Sequence, residues 1–281
     1  MSASKRANSI SPTTTYLVAN FTKRDLILYA LGIGCCSEEC NGDELRFVYE
    51  KHPSFEMFPT FLLTMYFAAE PDSHNSNGKS GIRPFPPDSM TLSTNNESGI
   101  IPTMLLKNHG EVKQVEMLPI LHISQSLVFH NEILFNNKSN GTDYPLQIHL
   151  RTEITSIRPR NVGTFVTTET KYYQRECCIA TAQMTALVYG MNPDKVIQWQ
   201  GHQSCVNDAL SSNENVPKSA TTEKTMHTFT IPSNAALLYR LSGDYNPIHV
   251  EGTDGDAPGP LLHGLCTMGY ATRAILKHIR F

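Results

Sequence analysis

The chain has 281 residues, enough for one large domain or two ordinary ones. Lysine and arginine number 23 against 26 aspartates and glutamates, and the resulting net charge of -3 gives no electrostatic reason to expect a nucleic acid or an anionic membrane as partner. The longest uncharged apolar stretch, Leu26 to Cys36, falls far short of the about 20 residues that a membrane-spanning helix needs.

Residues 1–15 hold two basic residues and no long apolar run, and read as a disordered leader. The first firm element is a helix over Thr22–Gly34, with Leu26, Ala30 and Ile33 at helical spacing, Thr22 placed to cap its start and Gly32 and Gly34 marking its end. Leu45–Tyr49 is a short strand candidate, and Phe58–Ala69 is a dense apolar segment. Glu70–Ser98 is rich in Pro, Asn, Ser, Gly and Asp and reads as a long loop. Between Gly110 and Tyr189 the texture becomes that of strands: VFHNEIL, LQIHLRTEITSI, GTFVTTETKYYQ and CIATAQMTALVY are rich in β-branched and aromatic residues with turn residues between them. Residues 201–225 are polar and read as a linker. A strand over Met226–Ile231, a helix from Ser233 to Gly243, a loop over Asp244–Pro260 and a last helix over Leu261–His278 complete the series. A helix followed by several antiparallel strands predicts an α+β fold with the sheet packed on the helix.

Seven cysteines, an odd number with two adjacent pairs, make a poor disulfide framework. No CxxC and no Cys/His spacing suggests tetrahedral zinc, so no metal site is expected. The thiols read as mostly buried, small apolar residues of a reducing compartment.

The densest polar cluster is Leu241-Ser-Gly-Asp-Tyr-Asn-Pro-Ile-His249. Gly243 suits the end of a helix, and Pro247 restrains Asn246, so the turn is stiff. Asp244 and His249 can then share one cavity and hold one water between them, a pair able to take and return a proton near neutrality. Asn246 could orient that water or His249. The second piece is Pro260-Leu-Leu-His263-Gly264-Leu265, where a glycine at a helix start offers its backbone N–H to a developing oxyanion and leaves room for a carbonyl to approach. Acid, base and oxyanion donor together fit addition or loss of water next to a carbonyl. Taken alone, the turn is more often an ordinary Asx turn with a surface histidine, and His263 more often an ordinary residue at a helix start; their joint occurrence brings the catalytic reading level with these.

YRLSGDYNPIHV (Tyr239–Val250) resembles the signature of the MaoC-like, type 2 (R)-specific enoyl-CoA hydratases, and GPLLHGLCTMGYATRAIL (Gly259–Leu276) resembles the helix that follows it. YALGIG, FVYEKHPSFEMFPTF and ILHISQSL resemble the first half of the two-repeat hydratase of peroxisomal multifunctional enzyme type 2. The resemblance implies a double hot-dog, each repeat a central helix wrapped by an antiparallel sheet. Residues 16–200 would be the repeat that shelters the acyl tail, and residues 226–281 the catalytic repeat, incomplete at its C-terminal end. Leu265, Met268, Ile275 and Leu276 would then lie in water for want of their sheet. By carry-over Asp244 and His249 act on the catalytic water, Asn246 supports them, and Gly264, with His263 beside it, binds the thioester oxygen.

The implied reaction is reversible syn hydration of a trans-2-enoyl-CoA to an (R)-3-hydroxyacyl-CoA in fatty-acid β-oxidation, by a hydro-lyase that needs no cofactor because CoA is part of the substrate. The implied partners are an acyl-CoA thioester and either a homodimer mate or a larger multifunctional enzyme. A peroxisomal location is implied too, although KHIRF is not an SKL-type address and a cytoplasmic one is the alternative. The competing readings are a non-catalytic acyl-CoA-binding subunit of the same fold and a related acyl dehydratase. His122, with no acidic residue near it in sequence, reads as structural.

Overall fold

The computed structural model describes residues 14–37, 42–71, 120–133, 146–189, 193–201, 226, 228–252 and 260–278. Strand β1 (Thr14–Phe21) runs into helix α1 (Lys23–Gly32). The helix begins where its capping residues place it: the Asp25 carboxylate reaches back to accept the Thr22 N–H at 2.7 Å and the Thr22 hydroxyl at 2.9 Å. Leu26, Tyr29, Ala30 and Ile33 are buried, the face that the helical spacing selects. The expected leader overlaps the sheet, since Thr14 already pairs with Glu153 and Thr15 with Thr152; residues 1–13 lie outside the described part.

Leu45–Tyr49 is not a strand. Residues Gly42–Val48 form helix α2. Asp43 and Glu44 favour a helix start electrostatically, and Phe47 is buried with its ring 5.0 Å from that of Phe58, so tertiary packing decides a segment too short to show a period. The apolar segment after it is a 3-10 turn over Pro59–Thr64, then the one-turn helix α3 (Met65–Ala68) and the two-residue strand β2 (Glu70–Pro71). The rest of the expected loop, 72–98, lies outside the described residues.

The sheet is completed by β3 (Ile120–Phe129), β4 (Leu146–Arg160), β5 (Gly163–Gln174), β6 (Cys177–Tyr189) and the short β7 (Trp199–Gln200). Its order is β2-β1-β4-β5-β6-β3, all antiparallel, with β7 also on β4. The strand expected at VFHNEIL starts earlier and stops at Phe129, because the His130 and Asn131 N–H groups both turn onto the Ile179 carbonyl, at 2.9 and 3.3 Å. Phe21, Ile148, Leu150, Tyr172, Ile179, Ala180 and Ala182 close on α1, giving a helix gripped by an antiparallel sheet.

Past the expected linker, of which only Gly201 is described, residues 226 and 228–231 form no strand. Met226, Thr228, Thr230 and Ile231 are exposed, and Pro232 follows, so neither packing nor pairing supports one. Helix α4 (Ala235–Tyr239) continues as a 3-10 turn, Arg240–Ser242. The last helix, α5, covers Gly264–His278 and starts later than expected. Leu261 is held out of it: its N–H bonds the Ile248 carbonyl at 3.2 Å and its carbonyl accepts from His249.

Helix α5 lies directly on α1. A Cβ on Gly269 would stand 2.4 Å from Ile33 Cγ2. This corrects the expectation of a bare apolar face. Leu265 is buried, Met268 and Leu276 pack partly buried on the core, and only Ile275 stands out, 56% exposed. Core residues from both sides of 201–225 form one cluster, so the two expected repeats share an interior.

Cys35 and Cys266 are buried as expected, whereas Cys177 is exposed and Cys36 and Cys178 are half-buried; all five are free thiols. Cys40 and Cys205 lie outside the described residues. No helix among the described residues is long and apolar enough to cross a membrane.

Candidate active site

Gly243 ends the 3-10 turn at φ +121°, where the Gly243 N–H bonds the Arg240 carbonyl at 3.0 Å. An added Cβ there would also stand 2.8 Å from Phe67 Cβ, so both backbone and space select glycine. The chain then folds into two successive Asx turns. Asp244 Oδ1 accepts the Asn246 N–H at 3.3 Å, and Asn246 Oδ1 accepts the Ile248 N–H at 3.3 Å. One carboxylate oxygen of Asp244 is thus used to shape the turn. The other, Oδ2, faces His249 Nε2 at 3.9 Å. That is too long for a direct hydrogen bond, and of the order that one shared water can bridge.

His249 Nδ1 lies 2.7 Å from the Leu261 carbonyl. A carbonyl only accepts, so Nδ1 carries the proton and Nε2 presents its lone pair on the side of Asp244. His263 mirrors this arrangement: its Nε2–H donates to the Asp244 main-chain carbonyl at 3.1 Å. The two imidazole rings stack, 3.6 Å between centroids and 23° between planes. Tyr239 lies behind, 4.9 Å from the His263 ring. Burial, and then the neighbouring His249, press the His263 pKa from 6.5 down to about 4, so this ring is neutral at physiological pH.

Asp244, His249 and His263 therefore come together as a cluster whose ligand-type atoms lie within 4.8 Å of one another. Three such residues raise the question of a metal. One nitrogen of each ring is committed as a donor to a carbonyl, which leaves His249 Nε2 and His263 Nδ1 as the acceptor nitrogens of the cluster.

Asn246 stands apart from the cluster. It is exposed, and its side-chain oxygen braces the turn. Its main-chain carbonyl accepts the His249 N–H at 3.1 Å, so its support of His249 runs through the backbone. His263, expected beside the substrate oxygen, is 1% exposed and spends its contacts on Asp244 and His249. Gly264 opens α5 directly after it, exposed, and belongs to the N–H groups that a helix leaves without an internal acceptor.

The fold brings His122, read from the sequence as structural, next to Gly264. It sits on β3 at a break in strand register between His122 and Ser124, and its Nδ1 lies 3.8 Å from where a Gly264 Cβ would be. A bulge of this kind leaves no signature in composition, and the histidine meets the site only through the fold.

Residues 19–85 match the family model described as the MFE-2 hydratase 2 N-terminal domain, and residues 213–280 match that of the MaoC like domain. Enoyl-CoA hydratase 2, peroxisomal, of Arabidopsis thaliana is 27% identical over 278 residues, a span of 95% of this chain and 73% of the plant protein. The peroxisomal hydratase-dehydrogenase-epimerase of Saccharomyces cerevisiae is 28% identical over 92% of this chain, which spans only 24% of that longer protein. Among solved structures, a MaoC-like dehydratase from Phytophthora capsici superposes with a TM-score of 0.61 at 21% identity, over 95% of this chain and 75% of the other. That likeness shows the fold: α+β, of the MaoC-like hot-dog kind.

Proposed function

We propose that this chain, whose residues 19–85 and 213–280 match the MFE-2 hydratase 2 N-terminal and MaoC like domain models, hydrates trans-2-enoyl-CoA thioesters to (R)-3-hydroxyacyl-CoA, reversibly, as a hydro-lyase of peroxisomal fatty-acid β-oxidation. The observation that carries this reading is the unbonded 3.9 Å span between Asp244 Oδ2 and the lone pair of His249 Nε2. A water held there loses a proton to His249 as its oxygen bonds to C3 of the substrate. The electrons of the C2–C3 double bond shift toward C1, and the thioester oxygen takes the charge. The Gly264 N–H, at the positive end of α5, receives that oxygen. A proton returned from the Asp244–His249 pair to C2 on the same face completes syn addition and restores both groups. Asn246 keeps the turn in shape.

No redox group enters this sequence of steps, and CoA arrives as part of the substrate. The names of the plant and yeast relatives support the peroxisomal location, and co-localisation of a fluorescently tagged chain with a peroxisomal marker tests it.

For the activity, crotonyl-CoA and a longer enoyl-CoA are mixed with the full chain, loss of the conjugated thioester absorbance is followed, and the product is resolved by chiral chromatography. The (R) alcohol is expected. Asp244→Asn and His249→Gln should each lower kcat by about 10²–10⁴ with thermal melting unchanged. An (S) product, or turnover that survives both substitutions, overturns the reading.

A further inference from the structure

The hydratase reading uses Asp244, His249 and Gly264 and leaves His263 with no chemical step, although it is the most completely buried of the group. Packing alone does not account for it. Its Nδ1 is buried with no hydrogen-bond partner among the described residues, a cost that an apolar side chain of similar size would avoid. The ring is nonetheless fixed on every side. The Thr267 N–H and the Thr267 hydroxyl both hold its main-chain carbonyl, at 3.0 and 3.2 Å, and Tyr239 backs its face.

The two histidines cross-link two segments reciprocally. His249, on the turn, donates to Leu261 on the approach to α5; His263, on that approach, donates to Asp244 on the turn. The Leu261 N–H closes the same junction on the Ile248 carbonyl. One donor thus anchors the main chain of the acid, while the stacked face fixes the plane of the base.

We propose that His263 is a positioning residue for hydration: its Nε2–H holds Asp244, and its ring holds the His249 imidazole in the plane and tautomer that turn Nε2 toward the Asp244 carboxylate. This rests on the hydratase reading for its chemistry and on the hydrogen bonds alone for its geometry. Neutrality is part of the role, because a second imidazolium stacked on His249 would oppose protonation of the base.

Two substitutions of the full chain separate the contributions. His263→Phe keeps a stacking ring and removes the donor; His263→Gln keeps a donor at about the reach of Nε2 and removes the ring. Phe at this site should lower kcat for crotonyl-CoA hydration by the order of 10²-fold, the scale that an ångström of misplacement costs, with KM within about twofold because the ring does not reach the substrate. Gln should recover part of kcat.

Side-chain ¹⁵N spectra give a readout that does not depend on turnover. His249 should be held as the Nδ1–H tautomer in the native chain and in His263→Phe, which keeps the stacked ring, and become a mixture of tautomers in His263→Gln, which removes it. If the native chain fails to hydrate enoyl-CoA, the hydratase reading falls and the spectra still decide the geometry. Should His263→Phe not fold, the loss of kcat and the His249 tautomer in His263→Gln carry the test. Native kcat in folded His263→Phe, or an unchanged His249 tautomer in folded His263→Gln, overturns the proposal, as does a raised KM with kcat intact.

Discussion

A buried neutral histidine has a consequence for stability that is separate from catalysis. His263 has a folded pKa of about 4 against 6.5 for the free side chain, burial being the largest cause, with His249 and Arg240 opposing its charge and Asp244 favouring it. Between those values the unfolded chain binds a proton that the folded chain does not. Stability therefore falls as pH drops from about 6.5 to about 4, and His263 adds no further slope below that. Replacing it with Phe removes the titration. Denaturant midpoints measured across that window should fall less steeply with acid for His263→Phe than for the native chain; parallel curves would show that the ring is solvated when folded. Gly243 is the other residue whose identity is dictated locally. At φ +121° with Phe67 at its back, Gly243→Ala should cost the order of 1–3 kcal/mol, read as a shifted denaturant midpoint.

Helices α1 and α5 approach closely at Gly269, where Ile33 Cγ2 and the Tyr29 hydroxyl occupy the place of a side chain. Gly269→Ala should overpack this crossing by about 1–3 kcal/mol, and trimming the opposing side chain in Gly269→Ala with Ile33→Ala should recover part of the loss. Additive losses would mean that the helices adjust their spacing freely.

This crossing also marks the limit of sequence reading. Helix α1 and strands β4 to β6 were legible because each carries its own signal, apolar spacing with an acidic reach-back to Thr22 in the first, β-branched and aromatic runs between turns in the others. Helix α2 and the residues around Met226–Ile231 were not, since too few residues show a period and their partners lie elsewhere in the chain. The site divides the same way. The turn from Gly243 to His249 is local and could be read. The stacking of His249 on His263 accompanies the bond between the Leu261 N–H and the Ile248 carbonyl, residues well apart in sequence, and no spacing announces that.

At the scale of the molecule, the question is what ties the segment that bears the candidate site to the segment that supplies most of the core. Apolar contact does part of this, since Leu265, Cys266 and Tyr270 share one interior with α1 and the sheet. A buried ion pair does the rest. Arg273 of α5 grips Glu44 of α2 through Nε to Oε1 at 2.6 Å and Nη2 to Oε2 at 3.1 Å, while Oε2 also accepts the Cys36 N–H at 2.8 Å. Burial raises the Glu44 pKa, but the bonds from Arg273 and the Cys36 N–H outweigh it, and the carboxyl titrates below its ordinary value.

The stabilisation from Glu44 is therefore present above the ordinary glutamate range and lost as acid takes the pH down through the folded value. Removing one partner leaves the other charge buried alone, which costs far more than the pair contributes net. Glu44→Gln should lower the unfolding free energy by about 3–5 kcal/mol, whereas Glu44→Gln with Arg273→Met should regain much of that loss, because no uncompensated charge remains. Both chains are compared by urea unfolding near neutral pH. Equal losses in the two would mean that Arg273 finds water when Glu44 is neutralised, and that α5 is held on α2 by its apolar face alone.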